Sequence, residues 1–199
     1  MKHNYTAEAL FYKNGSNLYR KYLDIWRTRQ SGGMPGVVIV MLNPGASLPR
    51  IAAEIDGGLL SANLDATLKQ VATLLDRANV ASARVINLSD IRSPDRDQFF
   101  SLAKTADSYD IPHSIFDERR RAELLSLVPE DLPIIYAWGV DSRARSLART
   151  AMSTLYGRAL FGWKRAGSDW QYYHPLPRDA ESREKWIAEV ASQLTATNP

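Results

Sequence analysis

Cysteine is absent from the chain, which excludes disulfides, thiolate zinc sites and cysteine-ligated iron–sulfur clusters. The three histidines, His3, His113 and His174, lie far apart without metal-ligand spacing, so we expect neither a metal nor another cofactor. Long apolar runs are also lacking, since none approaches the roughly 20 residues of a membrane helix. The first residues lack a signal-peptide core. We therefore expect a cytoplasmic protein without a membrane partner.

The motifs of several common enzyme classes are missing as well. The chain has no Gly-rich phosphate loop ending in Lys-Ser or Lys-Thr, no Gly-x-Gly-x-x-Gly fingerprint and no Gly-x-Ser-x-Gly elbow. Linkers, repeats and low-complexity tracts are not found either. We therefore expect residues 1–199 to form a single domain, and we expect a monomer.

The net charge is only +3, but it is distributed unevenly. Between residues 141 and 165 the single acidic residue is Asp141, whereas the basic residues are Arg143, Arg145, Arg149, Arg158, Lys164 and Arg165. Basic clusters of this kind favour a polyanion such as nucleic acid. A solvated helix face is the structural alternative.

Apolar periodicity predicts an α/β fold. The predicted strands are 37–42, 84–88 and 134–138, followed by β segments at 160–163 and 170–173. The predicted helices are 19–28, 65–78, 115–128, 142–156 and 181–194. A small N-terminal hairpin turns at Asn14-Gly15, and residues 89–112 are expected to be partly irregular. Strands that alternate with helices predict a three-layer α/β/α domain around a central, mainly parallel four-stranded sheet.

Polar or small residues stand at the ends of four predicted strands. Asn43 follows the first strand, Asn87 ends the second, Gly139 follows the third and His174 follows the last β segment. Because the carboxyl ends of parallel strands meet at one edge of a sheet, we expect these residues to converge. Each also has a structural interpretation, since Asn and Gly are common turn formers.

Four short motifs resemble the uracil-DNA glycosylase superfamily, in order and in spacing, over residues 37–178. Leu42-Asn43-Pro44-Gly45 is similar to the Ile-Asn-Pro-Gly motif of the mismatch-specific uracil/thymine glycosylases. Val85-Ile86-Asn87-Leu88, with Arg92-Ser93-Pro94 after it, is similar to the second strand of uracil-DNA glycosylases. Residues 134–139 are similar to their third strand and its glycine, and Tyr173-His174-Pro175 to their terminal His-Pro-Ser motif.

The whole chain also resembles a bacterial and phage family that is catalogued as a domain of unknown function. The shared features are Tyr19-Arg20, the Asn-Pro turn, Asp65-Ala66-Thr67, the Trp138-Gly139 pair and His174-Pro175-Leu176. This second resemblance covers more of the chain but carries no activity.

The glycosylase resemblance implies an enzyme that flips a pyrimidine out of DNA and hydrolyses its N-glycosidic bond, leaving an abasic site. Asn43 would position the attacking water, because a neutral amide cannot act as a general base. Asn87 would read the pyrimidine edge, and His174 would donate a hydrogen bond to the base oxygen where negative charge collects. Asp65 would be an N-cap or a second water-orienting carboxylate.

Further residues would contact the base or the DNA. Pro44, Gly45 and Trp138 are expected at the base, and Trp163, Phe161 and Trp170 are the other aromatic candidates for stacking on it. Leu176 and Arg178 are candidates for a wedge and a phosphate contact. The remaining candidate DNA contacts are Arg92, Arg143, Lys164 and Arg165.

The chain departs from the glycosylase pattern at three points. Leu176 stands where glycosylases usually have Ser, Asn43 replaces the water-activating Asp of the commonest uracil glycosylases, and the iron–sulfur cysteines are absent. Uracil is the default base by analogy, but Leu176 and the long segment 47–63 predict a reshaped pocket. A modified cytosine or thymine of phage DNA is therefore a second candidate, because the resembling family includes phage members. Its removal would serve antiviral defence.

Two other functions fit the same residues. One is a non-catalytic DNA-binding module or sensor of modified DNA, which would bind DNA without releasing a base. The other is a hydrolase of free nucleosides or nucleotides, which would turn over small molecules and bind DNA weakly.

Overall fold

A mixed sheet of seven strands forms the centre of the protein in a computed structural model that describes residues 4–28, 33–49, 55 and 57–196. The strands are β1 (Tyr5–Asn14), β2 (Asn17–Arg27), β3 (Val38–Met41), β4 (Leu59–Ser61), β5 (Ser82–Asn87), β6 (Ile134–Tyr136) and β7 (Leu160–Phe161). The α-helices are α1 (Ala66–Arg77), α2 (Arg96–Ser108), α3 (Arg121–Leu127), α4 (Arg145–Thr154) and α5 (Ala180–Ala196). The order of strands across the sheet is β4-β1-β2-β5-β3-β6-β7.

The sheet has a parallel half and an antiparallel half. Strand β3 pairs in parallel with β5 and β6, and β6 pairs in parallel with β7. The N-terminal hairpin supplies the other half, because β2 pairs antiparallel with β5 and β1 pairs antiparallel with β2 and β4. The α/β class is confirmed, whereas the prediction of a four-stranded, mainly parallel sheet is wrong.

The predicted hairpin is present but far longer than expected, and the predicted helix at 19–28 is wrong. Asn14 pairs with Asn17, so the turn lies at Gly15-Ser16 and β2 continues to Arg27. Leu23 and Ile25 are buried at a period of two, as in a strand with one face on the core. Pairing with β1 on one side and β5 on the other outweighs the helical spacing of the apolar residues.

Three smaller differences concern the second half of the chain. Helix α2 occupies the segment expected to be irregular, and Asp95 caps it by accepting a hydrogen bond from Gln98 N at 2.7 Å. Residues 170–173 form no strand, since Tyr172 makes only isolated bridges with Gly139 and Lys164. The helices predicted at 115–128 and 142–156 each begin as a 3₁₀ turn, at Glu118–Arg120 and Ser142–Ala144.

Alternate strand residues fill two separate cores, one on each face of the sheet. Ile39 and Met41 of β3 pack in the core that α1 and α5 cover. Val38 and Val40 pack in the core that α2, α3 and α4 cover. The described residues therefore form three layers, and the loops that follow β3, β5 and β6 meet at one edge of the middle layer.

Candidate functional site

A pocket of about 290 Å³ opens at this edge of the sheet. Its size is at the small end of the range for ligand pockets, about 300–1,000 Å³. The predicted site residues that it brings together are Asn43, Gly45, Trp138, Gly139, His174 and Leu176. The other lining residues are Leu42, Ser93, Pro94, Arg96, Val140 and Asp141. The convergence predicted from the strand ends is therefore observed for three of its four members.

The turn after β3 is held in place by a second loop. Gly45 adopts a positive φ of 62°, which favours glycine, and Ser47 N donates to Pro44 O at 3.2 Å. Arg92 then donates from Nε to Ser47 O at 2.6 Å and from Nη2 to Ala46 O at 3.1 Å. The Arg92 guanidinium, a predicted DNA contact, is thus engaged in fixing the turn that carries Asn43. Pro44 is buried within this turn and does not line the pocket.

The Asn43 side chain has a fixed orientation. Its Nδ2 donates to the backbone carbonyls of Ser93 at 2.8 Å and of Ile91 at 3.5 Å. Its Oδ1 has no hydrogen-bond partner among the residues that the structure describes. An amide whose NH₂ group is engaged in this way can offer only its carbonyl oxygen to a ligand. Asn43 therefore presents a hydrogen-bond acceptor, which suits a water molecule.

Asn87 lies behind Asn43 rather than in the pocket. It is fully buried, and its amide fits its neighbours in one orientation. Nδ2 then donates to the backbone oxygen of Asn43 at 3.2 Å, and Oδ1 accepts from Arg20 Nη2 at 3.3 Å. Asn87 supports the backbone of the Asn43 turn in this arrangement. Asn87 does not line the pocket, and both polar ends of its amide are engaged with protein groups, so its contact with a pyrimidine edge stays a prediction.

His174 presents a hydrogen-bond donor to the same pocket. Its Nδ1 accepts from Leu176 N at 3.1 Å, so in the neutral ring the proton is on Nε2. Burial lowers the pKa of His174 to about 4, because desolvation disfavours the charged imidazolium. The imidazole is therefore neutral at pH 7.

We expect His174 to stay neutral well below the usual range of histidine. In a ¹⁵N-edited NMR titration its resonances should show the Nε2–H tautomer and no protonation above about pH 5, since its pKa is about 4. The unfolded chain takes up this proton near pH 6.5, so the contribution of His174 to the free energy of unfolding should fall as the pH drops from 6.5 towards 4. A titration midpoint near 6.5 in the folded protein would contradict the structure.

Asp65 and Trp138 have structural roles next to the pocket. Asp65 is exposed and caps α1 by accepting from Leu68 N at 2.9 Å. It does not line the pocket, although its charge raises the pKa of His174 against the effect of burial. Trp138 is the aromatic residue among those that line the pocket, and its Nε1 donates to Trp170 O at 2.9 Å. Trp138 is almost fully buried and so forms part of the floor.

Among the other basic residues predicted to contact DNA, Arg143 forms ion pairs, whereas the rest are exposed to solvent. Arg143 pairs with Asp141 at 2.8 Å and with Asp97 at 2.7 Å, and it lies outside the pocket. Arg178 and Lys164 are exposed and lie outside it as well. Arg165 is exposed and contacts Gln171 Oε1 at 3.3 Å.

Four polar or charged residues of the site were not predicted as site residues from the sequence. Arg96 lines the pocket with its side chain 67% exposed, 3.7 Å from Asp141 Oδ2. Ser93 and Asp141 also line the pocket, and Arg20 lies behind Asn87. The run from Ser93 to Arg96 carried a usable signal, because Asp95 is a typical N-cap that starts a helix next to the motif.

Comparisons of the chain with protein-family models, with curated proteins and with solved structures found no match. The motif resemblance to the glycosylases is therefore a prediction that rests on the residues alone. In the part of the chain that the structure describes, no group of three or more acidic or histidine side chains is arranged to hold a metal ion. No helix in that part is long and apolar enough to cross a membrane.

Proposed function

We propose that this protein is a monomeric DNA glycosylase of the uracil-DNA glycosylase type, which hydrolyses the N-glycosidic bond of a pyrimidine. One observation carries the proposal. The acceptor Oδ1 of Asn43 and the donor Nε2–H of a neutral His174 belong to the same small pocket. The hydrogen bonds to Ser93 and Leu176 determine which atom of each side chain remains available.

This pair of groups suits the charge changes of glycoside hydrolysis. Positive charge develops on the sugar and negative charge on the departing base. Asn43 Oδ1 would accept a hydrogen bond from the attacking water and align it with the anomeric carbon. His174 Nε2–H would donate to the oxygen of the base, where a neutral donor stabilises the developing anion. In this proposal Gly45 and Trp138 supply contact surface for the base.

The DNA partner is supported by two exposed cations. Arg96 lines the pocket with an exposed side chain, and the exposed Arg178 follows two residues after Leu176 of the pocket wall. Cations at these positions can hold the phosphates on either side of a flipped nucleotide. Leu176 would fill the space that the base leaves in the stack.

A free nucleoside or nucleotide is a second candidate substrate, and the pairing of basic residues favours it. Arg143 and Arg149, which belong to the predicted basic cluster, form ion pairs with Asp97, Asp141 and Asp169. These ion pairs reduce the net positive charge that the surface offers to a polyanion. A pocket of about 290 Å³ also suits a small substrate.

The proposal is tested by incubating the protein with duplex and single-stranded DNA that contains uracil, mismatched thymine or modified pyrimidines of phage DNA. Alkali then reveals abasic sites, and chromatography of free nucleosides tests the second candidate. We expect Asn43→Ala to lower base release about 10²-fold, because the water is no longer aligned. Asn17→Ala, at the exposed end of the hairpin, is the control and should be unchanged.

Each outcome separates the candidate functions. Release from DNA but not from nucleosides supports the glycosylase, and the reverse supports the small-molecule hydrolase. Tight, salt-dependent DNA binding without any base release, unaffected by Asn43→Ala, would indicate a binding module instead.

A further inference from the structure

A cluster of buried and half-buried charged side chains lies between the hairpin and α3. Asp90 is fully buried and contacts Arg120 Nη1 at 2.7 Å, and the hydroxyl of Tyr12 donates to the same carboxylate at 3.0 Å. Arg120 also donates to Glu123 Oε2 at 2.7 Å, and Lys21 pairs with Glu123. Two carboxylates are therefore matched by two cations within this cluster.

Arg20 is a further buried cation that these pairs do not neutralise. Arg20 directly precedes Lys21 in β2, and the residue is only 5% exposed. Among the described residues it forms no salt bridge, and its Nε has no hydrogen-bond partner. Burial lowers the pKa of Arg20 to about 10, and the negative charges of Asp65 and Asp90 oppose this shift. Asp65 is exposed to solvent and Asp90 is bound to Arg120, so neither of these two carboxylates pairs directly with Arg20.

A direct chain of hydrogen bonds joins Arg20 to the candidate site. Arg20 Nη2 donates to Asn87 Oδ1 at 3.3 Å, and Asn87 Nδ2 donates to the backbone oxygen of Asn43 at 3.2 Å. The guanidinium is thus separated from the Asn43 turn by a single side chain. Consecutive hydrogen bonds polarise one another in a protein interior, and a buried charge is screened far less than one at the surface.

We propose that Arg20 is a positioning residue that fixes the Asn43 turn through Asn87 and makes the pocket selective for an anionic pyrimidine ring. The inference rests on the proposed function, because the departing base is the anion that the reaction creates. The positive charge of Arg20 is already in place before the glycosidic bond breaks, so the protein does not need to reorganise when negative charge develops on the ring.

Ligand binding tests the inference without any turnover. The probes are free uracil, which is neutral at pH 7, and free 5-nitrouracil, whose ring is an anion at that pH. By calorimetry, we expect the wild-type protein to bind the anion at least about tenfold more tightly, the order of effect of one weakly screened charge that acts at a distance through the protein. Arg20→Gln should lower that ratio about fivefold, with His174 and Arg96 of the pocket lining supplying the remaining preference, and Arg20→Lys should retain most of it because the charge is kept.

A matched variant separates this effect from a loss of stability. Arg84→Gln removes another largely buried arginine, which pairs with Asp24 at 2.7 Å and lies outside the pocket. It should weaken the fold but leave the ratio of the two affinities unchanged. If the wild-type protein binds both rings equally, or if Arg20→Gln weakens both equally, Arg20 is structural only and the inference is wrong.

Single-turnover kinetics on DNA give a second readout. We expect Arg20→Gln to slow release of uracil about 30-fold but release of 5-fluorouracil, a better leaving group, only about fivefold, because the poorer leaving group depends more on stabilisation of its negative charge. Equal slowing of both substrates would contradict the inference. If the wild-type protein releases no base from any DNA, the proposed function fails, while the binding ratio still decides whether Arg20 selects for an anion.

Discussion

Replacing His174 with alanine is expected to lower the rate of base release about 10²- to 10³-fold, the loss seen when one oxyanion donor is removed from an enzyme. The cause is the Nε2–H group, which the hydrogen bond from Leu176 N to Nδ1 keeps in place. The KM should change far less than kcat, because the donor interacts mainly with charge that develops during bond cleavage. Single-turnover cleavage of uracil-containing DNA measures both.

Two further variants make the His174 prediction specific. His174→Gln keeps an acceptor for Leu176 N and a donor for the base, so it should recover at least about tenfold over alanine. His113→Gln is the control, because both ring nitrogens of this buried histidine are engaged, with Ser89 Oγ at 2.8 Å and Asp107 Oδ1 at 3.1 Å. It should reduce stability and leave base release within about threefold, since it does not touch the reacting atoms. Equal losses of activity in His174→Ala and His113→Gln would contradict the assignment.

Replacing Arg120 with leucine is expected to lower the free energy of unfolding by about 3–5 kcal/mol, because it leaves the buried Asp90 without its cation. The two side chains are 2.7 Å apart, and Asp90 is fully buried. Urea unfolding at pH 8 measures the loss. Arg121→Leu is the matched control one residue away, since its side chain is exposed and 3.8 Å from an exposed Glu118. It should cost less than about 1 kcal/mol.

The pH dependence and a double variant identify the cause of the Arg120 effect. Burial raises the pKa of Asp90 to about 6, against the lowering influence of Arg120. The folded state thus binds the Asp90 proton more tightly than the unfolded chain, so stability from this group is present below pH 4 and lost as the pH rises through about 6. The decrease in the free energy of unfolding that Arg120→Leu causes should therefore be smaller at pH 5 than at pH 8. Asp90→Asn combined with Arg120→Leu should restore most of the stability at pH 8. A loss that is independent of pH would contradict this cause.

The sequence predicts the parallel half of the sheet well, because its strands are short apolar runs that end in turn residues. The runs around Ile39, Ile86 and Ile135 are found as β3, β5 and β6. The antiparallel half is harder to predict, since the apolar residues of β2 also fit a helical spacing and only the pairing partners decide between the two. Helix α2 is not predicted from the sequence because polar residues outnumber its apolar ones and make the helical spacing of the apolar residues weak. Its N-cap residue, Asp95, is the signal that the sequence does carry.

The sequence predicts the site residues whose position follows from the order of strands and helices, but it does not predict which of them are buried behind the pocket. Asn43, Gly139 and His174 follow strands or segments that end at one edge, so their convergence follows from the α/β alternation alone. Asn87 has the same position in the sequence pattern, but it points into the protein and contacts Arg20. That contact joins β2 to β5 across the sheet, and no local spacing encodes it. The basic cluster was predicted by counting charges, which does not show that Arg143 has acidic partners.

Two residues of the candidate site lie far apart in the sequence. Arg20, behind the pocket, belongs to β2, and His174, in the pocket lining, belongs to the segment before α5. At a synthesis rate of about 5–20 residues per second, residue 174 is added about 8 to 30 s after residue 20. Throughout that interval the growing chain lacks His174. In the proposed glycosylase, a chain that stops before residue 174 has no hydrogen-bond donor for the departing base, so we expect such a fragment to release no base.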